Sequence, residues 1–273
     1  MVRGRDLARG TITGSGDQGR SITGMDRRLT PELMDEPDAP RQELADALAY
    51  LRWVNRRLGG TRALIANLER WSVRWPKGRT ITMLDLGTGS GDIPLAAVAW
   101  ARARGIDLRV TGLDLHEATL DLAREHCKHE ERVTLVQGSA LDLASTFSAG
   151  QFDYVHAALF LHHLREIGVL TVLAGMARVA GVGVVWSDLH RSRFHRVMVN
   201  CFLLNANAMV RHDARVSVEA GFTRREVIEL AQRTDLGFAR YHRPPLWYRF
   251  TLAGERPGSW GNETIATPRG TGR

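Results

Sequence analysis

Between Thr80 and Asp92 the chain reads Thr-Ile-Thr-Met-Leu-Asp-Leu-Gly-Thr-Gly-Ser-Gly-Asp. An apolar run ends in Asp85 and a glycine-rich turn follows, the pattern of a strand feeding a loop that cradles a nucleotide. Gly87, Gly89 and Gly91 alternate with Thr88 and Ser90. The dinucleotide fingerprint needs its third glycine one place further on, so that the backbone can approach a pyrophosphate. Asp92 stands there, and a carboxylate repels a phosphate. The loop therefore suits a cofactor of nucleoside character without phosphate, and it argues against a nicotinamide dinucleotide oxidoreductase.

Other groups able to do chemistry fall at the ends of later apolar runs. Thr111-Gly112-Leu113-Asp114-Leu115-His116 ends one, and Val136-Gln137-Gly138-Ser139-Ala140-Leu141-Asp142 another. Phe152-Asp153-Tyr154-Val155 leads to Leu161-His162-His163-Leu164. Ser187-Asp188-Leu189-His190 follows a third apolar run. Open α/β proteins bind ligands where their strands end, so His162, His163 and His190 are the candidates for taking a proton from an acceptor hydroxyl. Asp188 and His190 alternate and can converge on one pocket, and His212-Asp213 is a further possible couple. These histidines and carboxylates lack the spacing of a metal site, and no metal is expected.

The elements that must position these groups alternate. Strands are expected at about 80–86, 108–113, 133–137, 152–157 and 182–187, with helices at about 93–104, 118–128 and 167–180 between them. Strands separated by helical runs imply βαβ units and a parallel sheet. Before them, Pro40 opens a helix with Leu44, Ala47, Leu48, Leu51 and Val54 on one face, stopped by Gly59-Gly60. Thr61 caps a second, carrying Leu64, Ile65, Leu68 and Trp71. After them come a helix at 223–234 and two β-like runs, 237–242 and 247–252, around Pro244-Pro245, which form an antiparallel hairpin.

In this pattern the chain resembles the class I S-adenosylmethionine-dependent methyltransferases over about residues 80–252. It is most similar to the small-molecule branch that includes the ubiquinone- and menaquinone-biosynthesis enzymes. The resemblance implies a Rossmann-like, doubly wound, mostly parallel seven-stranded sheet with a C-terminal antiparallel hairpin and N-terminal helices. It implies S-adenosyl-L-methionine as cofactor, held by Asp85, Gly87, Thr88, Gly89 and Gly91 at its methionine end. Asp114 would accept both ribose hydroxyls, with Leu115 beside it. Where the family commonly has an acid that bonds the adenine amine, this chain has Ser139, followed by Ala140. That departure leaves adenine recognition open between the Ser139 hydroxyl and Asp142.

Composition fits a globular enzyme. The chain has 273 residues, 44% of them hydrophobic, and a formal net charge of +7. Nearly all the positive charge is arginine, since Lys77 and Lys128 are the lysines. Much of the excess lies in residues 1–30 and 254–273, both rich in glycine and expected to be disordered tails. A nucleic-acid partner is therefore not expected. The two cysteines make no disulfide framework, no apolar run is long enough for a membrane span, and a cytoplasmic location is expected.

The domain reading is a helical cap at 31–78 and a methyltransferase domain at 79–253, with an insertion at 192–220 whose Met, Phe, Leu and Val content suits a roof over an apolar or aromatic acceptor. A homodimer is possible through the same face. The function expected is O-methylation of a phenolic, quinol or polyketide-like small molecule. C-methylation of a quinone precursor, or cofactor binding without catalysis, are the alternatives.

Overall fold

Neighbouring residues along a strand face opposite ways, and here both sides of the central strands are apolar. The computed structural model describes residues 26–33, 40–202, 208–244 and 247–260. Strand β1 (Ile81–Leu86) sends Met83 to one face and Leu84 to the other, and β4 (Phe152–Ala158) divides Tyr154 from Val155 in the same way. Strands buried on both faces belong to parallel sheets covered by helices on each side.

The seven-stranded sheet has the order β3-β2-β1-β4-β5-β7-β6. Strands β1, β2 (Leu108–Asp114), β3 (Val133–Gln137), β4 and β5 (Ala180–Leu189) are parallel. Strand β7 (Arg249–Glu255) runs antiparallel between β5 and β6 (Arg240–His242). The chain reverses direction in strand order between β1 and β4, and the strand ends there open a crevice. The expected sheet and terminal hairpin are present. The hairpin strands begin at Arg240 and Arg249, later than expected.

One face of the sheet is covered by α2 (Gly60–Ser72) and α3 (Asp92–Arg102), with Leu64, Leu68, Trp71, Ile93 and Trp100 packed on Met83, Val110 and Tyr154. Trp71 stacks on the Tyr154 ring at 5.2 Å. The other face carries α6 (Glu166–Val179) and α9 (Arg224–Gln232), which bury Val172, Met176, Val227 and Leu230 against Leu84, Val155 and Trp186. The α4 helix (Glu117–Cys127) follows β2, and a single short turn, α5 (Leu143–Thr146), follows β3.

The remaining helices frame the site. Helix α1 (Arg41–Arg57) stands before α2, and the insertion after β5 forms α7 (Arg193–Phe202) and α8 (Ala208–Ala220). Residues 26–33 fall partly inside the expected N-terminal tail, yet they are held on the domain. Arg27 donates to the carbonyls of Ala220, His162 and Leu164 at 2.8–3.1 Å and lies over the Phe222 ring. At the other end β7 runs on to Glu255, and Trp260 donates its indole N–H to Glu255 at 3.2 Å, so the domain continues past residue 253. The rest of both tails lies outside the described residues. No helix among the described residues is long and apolar enough to cross a membrane.

Candidate active site

The loop between β1 and α3 has an unusual backbone, with Gly87, Gly89 and Gly91 at φ of 61°, 54° and 73°. L side chains rarely tolerate that region. Packing tightens the constraint at Gly87, where a Cβ would lie 3.0 Å from the Phe160 ring. The loop thus lies bare at the strand ends, and the N-terminus of α3, with its outward N–H groups, begins directly after it.

A cavity of about 640 Å³ opens there, near the middle of the range of ligand pockets, roughly 300–1,000 Å³. Gly87, Gly89, Asp114, Leu115, Ser139 and Ala140 line one side of it. The other loop residues expected to hold the cofactor, Asp85, Thr88 and Gly91, do not reach its wall. Asp85 instead accepts the Thr88 hydroxyl at 2.7 Å and bonds His156 Nδ1 at 2.6 Å, and it is buried. Its place in the structure is beneath the loop, which it ties down. Asp114 accepts the backbone N–H of Gly89 at 2.9 Å and of His116 at 3.1 Å. A carboxylate has about four acceptor positions, and this one lines the cavity. The Ser139 hydroxyl accepts from Leu141 N at 3.1 Å and starts a short 3₁₀ turn over Ala140–Asp142.

The loop after β4 turns sharply. Leu159 is the non-glycine residue with a left-handed backbone, at φ 51°, among the described residues. Such strain costs about 1–3 kcal/mol and is retained where it aims groups at a site. It brings Phe160, His162 and His163 to the cavity wall. His162 is buried, with Nδ1 2.7 Å from Asp188 Oδ1 and Nε2 3.4 Å from Glu32 Oε1. His163 Nε2 is 3.7 Å from the same Glu32 oxygen, which also takes the Ser217 hydroxyl of α8.

Burial alone would lower the His162 pKa, but the flanking Asp188 and Glu32 push it up to about 10. Burial alone would raise Glu32, but the hydrogen bond from His162, the charges of His163 and His162, and Ser217 hold it below its ordinary 4.5. Asp188 is likewise held low against its burial by His162. The three form a buried charged row, of which Glu32 and His162 reach the cavity, whose other walls include Leu48, Tyr50, Trp53, Val54, Phe194 and Trp247.

The other expected groups disperse. Asp188 pairs with His162 and not with His190, and His190 is not on the cavity wall. His212 and Asp213 do pair, at 3.1 Å, but His212 faces a small separate surface pocket. Two residues escaped the sequence reading. Glu32 lies in a segment without periodicity, and no local signal joins it to His162. His195 is buried at the cavity wall, its Nδ1 2.9 Å from the Ser192 hydroxyl. Its signal was the roof segment that contains it.

Comparison with known proteins agrees with this geometry. Residues 83–183 match the methyltransferase-domain family. A demethylmenaquinone methyltransferase of Staphylococcus haemolyticus (strain JCSC1435) is 34% identical over 100 residues, 37% of this chain and 39% of that one. An uncharacterized methyltransferase of Synechocystis is 33% identical over 111 residues, 40% and 47% of the two chains. The chain thus spans less than half the length of these curated relatives. Magnesium protoporphyrin IX methyltransferase from Synechocystis PCC 6803, solved with bound S-adenosylhomocysteine, superposes at a TM-score of 0.51 with 15% identity, over 78% of this chain and 97% of that one. That likeness is one of fold.

Proposed function

We infer that this chain, whose domain is of the class I S-adenosylmethionine-dependent methyltransferase type, transfers the donor's methyl group to an oxygen of an apolar, aromatic small molecule. The donor is S-adenosyl-L-methionine, which supplies an already activated sulfonium methyl. The positive-φ glycine loop and the Asp114 carboxylate fit it, since they offer a close backbone approach and acceptors for vicinal hydroxyls. Leu115, Ser139 and Ala140 then flank the base.

The observation that carries the acceptor reading is the composition of the cavity. Much of its wall is apolar, and Glu32, His162 and His163 come together on it. An aromatic ring would sit against Leu48, Val54 and Phe194, with a hydroxyl turned to those three polar groups. An activated donor leaves the protein mainly the task of alignment. The acceptor proton needs a base only while it is bound to oxygen, and His163 is the better placed of the two neighbours. His162 is committed on one side to Asp188 and faces Glu32 on the other.

The test is incubation of the purified chain with S-adenosyl-L-methionine and a panel of phenols, quinols and hydroxylated polyketides, read by mass spectrometry and by S-adenosylhomocysteine release. A product one methyl group heavier, with that methyl on oxygen by NMR, is expected. The relative's name favours a second reading, a demethylated quinone precursor as acceptor with transfer to carbon. A methyl found on carbon would select it. Calorimetric binding of S-adenosylhomocysteine with no turnover on the whole panel would leave only a cofactor-binding protein.

A further inference from the structure

Spacing along the chain gave no reason to expect a metal, yet folding brings together a set of ligating side chains from segments remote in sequence. The Glu32 carboxylate, His162 and His163 each offer one atom, all within 4.8 Å of one another. We propose that this triangle binds one divalent transition-metal ion, zinc by its donor chemistry, on the wall of the acceptor cavity.

Two edges of the triangle are near those of a loaded site. Glu32 Oε1 lies 3.4 Å from His162 Nε2 and 3.7 Å from His163 Nε2. Ligands about 2.0–2.2 Å from a tetrahedral zinc stand roughly 3.3–3.6 Å apart. The Glu32–His162 hydrogen bond is thus a long one, beyond the roughly 2.8 Å of a close charge-assisted pair. The supporting contacts are also of the right kind. Asp188 holds His162 Nδ1 at 2.7 Å, the carboxylate–histidine arrangement that fixes the ring and directs Nε2 at a metal; the ion displaces the Nε2 proton, which leaves to solvent. Ser217 bonds the Glu32 carboxylate from α8.

Two imidazoles and one carboxylate are a set used for catalytic zinc, which keeps a position open. Magnesium and calcium prefer oxygen donors alone. All three ligands line the cavity, so the open position faces the acceptor. An acceptor hydroxyl bound there ionises, releasing its proton to solvent, and His163 is then a ligand in place of a base. This last step rests on the O-methylation reading above; the binding of the ion does not.

The test uses the full chain without a histidine tag, stripped by chelator and titrated with Zn²⁺ by calorimetry and with Co²⁺ by visible absorption. One ion per chain is expected, with visible cobalt bands of a low-coordinate nitrogen–oxygen site. Glu32→Gln and His163→Gln should each weaken binding at least about tenfold, and Asp188→Asn, which removes a positioning group, by about 10–100-fold. His163→Cys, which keeps a zinc donor, should retain the ion. His129→Gln, at an exposed histidine, should change nothing. Binding of S-adenosylhomocysteine by each variant confirms that it is folded. The site is refuted by failure of the parent chain to take up Zn²⁺ at tens of micromolar, or by uptake that Glu32→Gln and His163→Gln both leave intact. Either result leaves methyl transfer, with His163 as base, standing. Loss of S-adenosylhomocysteine binding in the parent chain would instead remove the methyltransferase reading and leave the ion untouched.

Discussion

Asp85 and Asp114 end neighbouring strands, yet only Asp114 reaches the cavity. Asp85 is opposite His156 in the register of β1 and β4, and that buried partner takes one of its oxygens while Thr88 takes the other. The two should therefore fail differently. Asp114→Asn should weaken S-adenosylhomocysteine binding by about 1.5–3 kcal/mol, the worth of hydrogen bonds to a charged group, with little change in melting temperature. Asp85→Asn should lower the melting temperature first, since it disturbs a buried pair beneath the loop. Calorimetry and thermal melts on both variants check the contrast, and equal effects on binding would refute it. Asp114 was legible because a glycine loop and a second strand end are both local patterns. The His156–Asp85 bond was not, because strand order is decided by packing and not by spacing. His190 gives a second prediction at this scale. Burial, then the charges of Arg243, His195 and Arg191, outweigh a bond at Phe222 and push its pKa from 6.5 down to about 4. Its Nδ1 is buried without a hydrogen-bond partner among the described residues. Between those two pH values the unfolded chain holds the extra proton, so stability rises with pH across that window and falls on acidification. In His190→Gln the melting temperature should depend less steeply on pH between 6.5 and 4; an unchanged slope would count against the assignment.

At the scale of elements, the strands and their covering helices were readable because each repeats a period over its whole length. Val182 to Trp186 can be little else than a doubly buried strand, and β5 extends it at both ends from Ala180 to Leu189. The roof was harder. Its apolar content was visible, but its division into α7 and α8 and the choice of Phe194, His195, Ser217 and Val218 as cavity wall depend on how it folds back on α1. What anchors that return is the start of α9. Thr223 and Glu226 form a reciprocal capping box, and Glu226 also pairs with Arg191, whose guanidinium is buried. Phe222, one residue earlier, meets Trp186 and Phe250 edge-on at 5.0 and 6.2 Å. Thr223→Ala should destabilise the chain by about 1 kcal/mol, and Phe222→Ala by about 3–5 kcal/mol through the cavity it leaves. Denaturant unfolding measures both, and a Phe222→Ala cost no larger than that of Thr223→Ala would show that this cluster is not where the roof is anchored.

The whole molecule builds its cavity from stretches that are remote in sequence: the 26–33 segment, α1, the glycine loop, the roof and the turn before β7. On the function proposed above, the donor side is built from the ends of three strands that follow one another along the chain, β1, β2 and β3, which explains why it could be read locally. The acceptor side of that reading exists only once segments from 32 to 248 come together. Its mouth shows how closely they are fitted. Gly59, between α1 and α2, has φ 86°, and a Cβ there would lie 2.9 Å from the Trp247 ring, which lines the cavity from the far end of the chain. Tyr248 beside it donates its hydroxyl to the Leu58 carbonyl at 3.0 Å, so the two segments are also tied by a hydrogen bond. Gly59→Ala therefore meets two penalties, about 1–2 kcal/mol for a left-handed L residue and displacement of an indole that closes the apolar wall. The glycine loop and Asp114 are not part of this contact. The expected outcome is a raised KM for an apolar acceptor with the affinity for S-adenosylhomocysteine unchanged. Trp247→Ala, which empties the same wall without straining the backbone, should raise KM in the same direction while sparing the melting temperature more than Gly59→Ala does. If instead both variants lost cofactor affinity and kept the acceptor KM, the mouth formed by α1 and the β7 turn would belong to the donor, and the division of the cavity into a local donor side and an assembled acceptor side would be wrong.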